Sequence, residues 1–133
     1  MAALTVTAAS IIATGGSQAH ITLGATLTQG LSVYKDLTDS NEYKAAGNDA
    51  AVSAVGVGVL ITSGADGQPG TTVRNGTIAG MGTTEGVAYF LGTAGGIVPY
   101  GDLSTGDIVV FMGIGGTGGA LLLNIYETTT TVQ

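Results

Sequence analysis

Cysteine and tryptophan are absent, and charge is scarce: three Lys and Arg with nine Asp and Glu make 9% of the 133 residues, against about 25% in an ordinary soluble domain. Without cysteine there is no disulfide framework, no thiolate metal site and no thiol nucleophile. Three cations cannot neutralise a phosphate track, which argues against a nucleic-acid partner. Long apolar runs are missing too. The longest, residues 50–61, is interrupted by Ser53 and small side chains, well short of the ~20 residues that span a bilayer. The opening Met1-Ala-Ala-Leu-Thr-Val-Thr carries no cation and is broken by threonine, so neither a secretory signal nor membrane attachment is expected.

At 13.0 kDa the chain is the size of one domain with a core of ordinary dimensions. A folded monomer of this mass exposes roughly 6,300 Å², so twelve charges leave about one per 500 Å². Neutral polar side chains and bare backbone must carry the rest of the solvation. Such a surface suits a subunit that turns part of itself toward a partner better than a free enzyme.

Glycine is abundant, 24 of 133 residues, and it punctuates short alternating or β-branched runs. Leu4 to Thr7 alternates, and in 19–23 alternation puts Ala19, Ile21 and Leu23 on one face. Residues 31–35 alternate again, followed by a polar turn over 36–42. Residues 52–61 read as a longer buried strand, and 63–70 as a turn cluster. Asn75-Gly76 between Thr71-Thr-Val-Arg74 and Thr77-Ile-Ala79 predicts a two-residue hairpin. Two more hairpins are expected, 86–91 with 97–98 and 107–111 with 120–126. Helical periodicity does not extend beyond a turn or two, the best stretch being 44–51. The pattern predicts an all-β fold, a compact β-sandwich or small β-barrel with Gly-rich hairpins.

The inventory for chemistry is thin. Gly113-Ile-Gly-Gly-Thr-Gly118 matches GxGxxG, but the dinucleotide fingerprint needs a following helix and a parallel strand. Residues 121–126 read instead as a strand, which makes the match a Gly-rich turn. His20 is the only histidine, and no GxSxG elbow brings it a nucleophile. Asp36, Asp39, Asn41 and Glu42 offer oxygens to a calcium ion, yet their spacing is not that of an EF-hand loop, and a solvated turn accounts for them. The aromatics are spread over separate strands, as core or interface packing is. Neither a metal nor a cofactor is expected, and no catalytic set can be assembled.

From about residue 30 to 125 the order of phrases resembles small bacteriophage head decoration (capsid cement) proteins, over about 70% of the chain. The matching phrases are Leu31-Ser-Val-Tyr-Lys35 with an acidic turn and Tyr43-Lys44, then Ala54-Val-Gly-Val-Gly-Val59 and Gly64-Ala-Asp-Gly-Gln-Pro69. After Val73 and Ile78 come Gly86-Val-Ala-Tyr-Phe-Leu-Gly-Thr-Ala-Gly-Gly-Ile97, Pro99-Tyr100, Thr105-Gly-Asp107 and the apolar 121–125. Tail-fibre and baseplate modules use similar Gly/Thr-rich phrases. The resemblance implies a non-enzymatic virion protein on the outer surface of a phage head. It would act as a homo-oligomer, a trimer in such proteins, and bridge neighbouring copies of the major capsid protein. A host-receptor module on the tail and a carbohydrate-binding β domain remain the alternatives. Residues 1–23 are expected as an extended N-terminal arm, 24–126 as the β core and 127–133 as a tail. Leu4, Val6, Ile11 and Ile12 in the arm and Tyr100 in the Pro99-Tyr-Gly turn are the expected interface residues.

Overall fold

The structure, a computed structural model, describes residue 4 and residues 12–14, 16, 18–38, 40–50 and 53–132. Alternating β-branched runs separated by glycine become eleven strands: β1 Ile12–Thr14, β2 Gln18–Thr22, β3 Ser32–Asp36, β4 Glu42–Ala45, β5 Gly58–Leu60, β6 Pro69–Val73, β7 Asn75–Ala79, β8 Ala88–Leu91, β9 Ile97–Pro99, β10 Ile108–Gly115 and β11 Leu121–Thr131. They form a six-stranded sheet, β1-β7-β11-β10-β8-β9, and a five-stranded sheet, β2-β6-β5-β3-β4, both antiparallel. The two pack together as a β-sandwich, as the alternation predicts.

Period-2 alternation divides the apolar residues between two cores. Val59 and Val73 of the five-stranded sheet meet Ile78, Tyr89, Leu91, Val110, Met112, Leu121 and Leu123 of the six-stranded sheet in the larger cluster. Their neighbours in sequence point the other way. Leu60 and Val33 join Ile21, Leu23 and Leu27 in a second cluster on the far face of the five-stranded sheet. That sheet curls until its edges touch: Leu23 bridges Tyr43, and the Gly24 N–H donates to the Tyr43 carbonyl at 2.8 Å. Leu23 fills the curl. A Cβ at Gly64 would lie 2.8 Å from Leu23 Cδ1, and one at Gly70 would lie 3.1 Å from Cδ2. A side chain at either position would have to displace Leu23.

One strand path serves both sheets. β6 ends at Val73 and β7 begins at Asn75, with only Arg74 between them, yet the two strands belong to different sheets. The hairpin expected at Asn75-Gly76 therefore does not form, and Gly76 lies within β7 opposite Leu123. A hairpin would have set Val73 beside Ile78 on one face. In the sandwich the same two side chains reach the same core from opposite sheets. Glu127 of β11 holds the crossing: one carboxylate oxygen accepts from the Val57 N–H at 2.6 Å and lies 3.3 Å from Arg74 Nη2.

The buried strand expected over 52–61 is shorter, only β5. Gly56, at φ +69°, turns the chain, and the next N–H, that of Val57, goes to the Glu127 side chain rather than to a ladder. The other turns follow the sequence. Asp36 lies opposite Glu42, Leu91 opposite Ile97 and Gly115 opposite Leu121. β2 lies within the segment expected as an arm, but its Ile21 and the following Leu23 are core residues. β11 likewise runs through Thr131. The folded body thus starts ahead of residue 24 and continues past 126.

Truncating the residue at the centre of the curl tests this packing. Leu23→Ala is expected to lower unfolding free energy by about 2–5 kcal/mol, the range for a buried leucine whose cavity cannot collapse, as read by urea denaturation.

Candidate functional site

Charge patterning decides which surface is unusual. Among the described residues, Glu127 is the one charged residue within the six strands of the larger sheet. Its register opposite Val110, a core residue, turns it inward. The outer face of that sheet therefore carries no strand charge at all.

Two cross-strand rows fill this face. Register sets Thr77, Leu122, Ile114 and Ala88 side by side across β7, β11, β10 and β8. A second row, Tyr126, Phe111, Phe90 and Val98, crosses β11, β10, β8 and β9. A bulge in β10 between Phe111 and Gly113 keeps Phe111 and Ile114 both facing out while Met112 enters the core. Phe90 packs edge-on against Phe111 and against Tyr100, each at 5.6 Å between ring centres. Such contacts prefer this geometry because the ring edge is positive and its face negative. Despite that packing, Tyr126 remains 68% exposed, Tyr100 58%, Leu122 48% and Ile114 43%. Among the described residues these are four of the six large hydrophobics left in solvent; the others, Leu37 and Val55, lie on a separate groove beside Tyr34.

The expected interface residues divide. Tyr100 belongs to this face, in a short 3-10 turn after β9. Leu4 is half-buried against the larger core, and its N–H donates to the Ile97 carbonyl at 2.9 Å, so it is held by its own chain. Ile12 pairs through its backbone with Ala79 in the edge strand β1. Val6 and Ile11 lie outside the described residues. Phe90, Phe111, Ile114, Leu122 and Tyr126 were not singled out as a set from the sequence. Their signal is parity, since Leu122 and Tyr126 fall on the opposite phase from the core residues Leu121 and Leu123.

The remaining chemical candidates find ordinary roles. In the GxGxxG run, a Cβ at Gly113 would strike the Leu122 carbonyl and one at Gly115 the Thr84 carbonyl. Gly113 permits close backbone approach within the β10–β11 hairpin, and Gly115 permits the approach of the β7–β8 loop at Thr84. His20 is exposed on β2, 3.5 Å from the Thr71 hydroxyl. Asp36 is engaged within its own hairpin: its carboxylate accepts from the Thr38 hydroxyl at 2.7 Å and the Thr38 N–H at 3.0 Å, and lies 3.1 Å from Lys44 Nζ. Among the described residues no group of three or more acidic, His or Cys side chains is placed to hold a metal ion, and Asp39 lies outside them. Comparison with family models, with curated proteins and with solved structures finds no match to this chain.

The Thr38 hydroxyl and N–H, with Lys44 beside them, lower the Asp36 carboxyl from 3.8 to about 2. The folded value lies below the unfolded one, so the turn is held fully above about pH 4 and loosens as the pH falls toward 2. An NMR titration is expected to place the Asp36 midpoint at about 2. Thr38→Val and Lys44→Met should each raise it, Thr38→Val by removing the largest single cause, the hydroxyl bond.

Proposed function

We propose that this chain is a non-enzymatic structural subunit that assembles through the uncharged outer face of its six-stranded sheet. The observation that carries the reading is that face itself: two rows of neutral side chains with Tyr100, Ile114, Leu122 and Tyr126 open to solvent. Six strands at ~4.8 Å spacing make a face ~24 Å wide, and five residues at ~3.4 Å make it ~17 Å long. The resulting ~400 Å² is about half of what one partner contributes to a standard interface. Such a face binds weakly by itself and gains strength when several copies engage together.

The resemblance to head decoration proteins supplies the setting for that arithmetic. On this reading the protein is a homotrimeric cement on the outer surface of a phage head, and its partners are copies of itself and of the major capsid protein. A clamp of this kind works by linkage: it binds the closed lattice better than the open one and so stabilises the closed shell.

Two measurements test the proposal. Leu122→Glu with Tyr126→Ser is expected to convert the oligomer to monomer mass in sedimentation. The thermal midpoint should stay within a few degrees, since substitutions at exposed positions usually cost within about 0.5 kcal/mol. Immunogold labelling of virions with antibody to this chain should decorate heads. Label on tails would move the protein to a fibre or baseplate, and monomer mass for the unaltered protein would overturn assembly through this face.

A further inference from the structure

The six exposed large hydrophobics among the described residues fall into two patches, and assembly through the outer face accounts for one of them. The other is the groove of about 620 Å³ beside Tyr34, lined by Leu37 of the β3–β4 turn and by Val55 and Gly56 of the segment before β5. Each patch holds one of the two most exposed members of the set, Leu37 at 75% and Tyr126 at 68%.

The groove is shaped by bonds of its own chain. Asp36 accepts from the Thr38 hydroxyl and N–H and lies 3.1 Å from Lys44 Nζ, which holds the turn that carries Leu37. On the other wall the Glu127 carboxylate takes the Val57 N–H at 2.6 Å and anchors the chain two residues after Val55. Gly56 leaves the space between open, since a Cβ there would meet nothing within 4 Å. A site held in this way loses little freedom when it is filled. The Asp36 charge is already answered by Lys44, so an apolar guest strands no carboxylate. Lys35 also lines the groove, and a tyrosine ring takes a cation against its face.

The two patches lie on opposite sides of β11. Glu127 turns inward to reach Val57, and its neighbour Tyr126 turns outward. Tyr126 thus points away from the side on which its own residues 55–57 run, and only another copy can bring a tyrosine to the groove. Symmetry makes the same demand. Identical faces that meet about a two-fold axis close as a dimer and leave nothing for a third copy. A ring of three needs two different patches on every copy, each meeting the other kind on its neighbour. Area agrees, because the outer face alone supplies ~400 Å², about half of one partner's share of a standard interface. In a ring every copy buries its groove as well as its face.

We infer that the Leu37–Val55 groove is the docking site for the outer face of a second copy, with Tyr126 of one chain seated between Leu37 and Val55 of the next. The inference rests on the assembly reading above and makes its contact head-to-tail. A tyrosine in an apolar pocket is the kind of anchor that carries most of the energy of such contacts.

Two broken copies of the full chain test it. Leu122→Glu with Tyr126→Ser, the face variant, keeps only its groove; Leu37→Glu with Val55→Ser, the groove variant, keeps only its face. All four positions are exposed, so both variants should hold the parent's thermal midpoint within a few degrees. Each alone is expected at monomer mass in sedimentation. Mixed, they should form a one-to-one pair and nothing larger. In isotope-labelled face variant, the methyl signals of Leu37 and Val55 should shift saturably when unlabelled groove variant is added. They should stay fixed when unlabelled face variant is added. The pair should bind at least roughly 100-fold more weakly than copies in the parent assembly, because a single open contact lacks ring closure. Leu37→Ser alone should weaken the parent assembly by about tenfold.

Parent mass retained by the groove variant would overturn the groove and leave assembly through the face standing, the face then meeting itself or another partner. Equal shifts from both unlabelled variants, or no shift by about 1 mM, would overturn the head-to-tail contact. Monomer mass for the unaltered chain would overturn the assembly reading itself, so the two failures are told apart.

Discussion

The fold depends above all on the passage of chain from β6 to β7, the tighter of two crossings between the sheets, the other joining β1 to β2. Arg74 is the only residue between β6 and β7, and each of those strands lies one in from the edge of its sheet, paired on both sides. Backbone pairing thus fixes both ends of the passage, and the sheets cannot slide apart without breaking a ladder. The Glu127 carboxylate adds a polar tie at the same place, taking the Val57 N–H from the five-stranded side and lying against Arg74. Hydrogen bonds to charged groups contribute about 1.5–3 kcal/mol, a sizeable share for a domain whose net stability is in the range of about 5–15 kcal/mol. In a chain with so few charges, it is telling that one ion pair sits where the two layers join.

Scarcity of charge shapes the surface as much as the join. The strands of the larger sheet place threonine, asparagine, small apolar and aromatic residues on their outer positions, and none of these repels a second neutral surface. Charged side chains on an edge or face are a usual means of preventing unwanted sheet contacts, and this face lacks them. The five-stranded sheet uses another principle. Its curl is closed near Leu23, where that residue bridges Tyr43 and the Gly24 N–H meets the Tyr43 carbonyl.

Turn chemistry was readable where the turn is local. The polar run 36–42 and the Gly-rich 92–96 and 116–120 segments join strands that pair directly, so short-range signals sufficed. Asn75-Gly76 misled because the same dipeptide sits within a strand that changes sheet, and the choice between a hairpin and a crossing depends on partners far away in the chain. The run 52–61 misled for a related reason. Its apolar content suited a strand, but Gly56 and the remote Glu127 carboxylate take its first half out of the ladder. Of the exposed face, only Tyr100 was legible, through the proline–glycine context of its turn. Phe90, Phe111 and Tyr126 looked like scattered strand aromatics until register placed them in one row.

The sequence by itself determined the class of fold, the exclusion of thiol chemistry and a surface poor in charge. These follow from composition and from period-2 alternation, which are local properties of the chain. Only the tertiary structure decided which alternate positions face water, because facing is set by which strands pair and in what register. A one-residue change of register would exchange Leu121 and Leu123 for Leu122 and Asn124 in the core, and nothing within 121–126 alone distinguishes the two. The β2–β4 seam belongs to the same category: its walls lie some twenty residues apart, and the closing of the curled sheet on Leu23 brings them together.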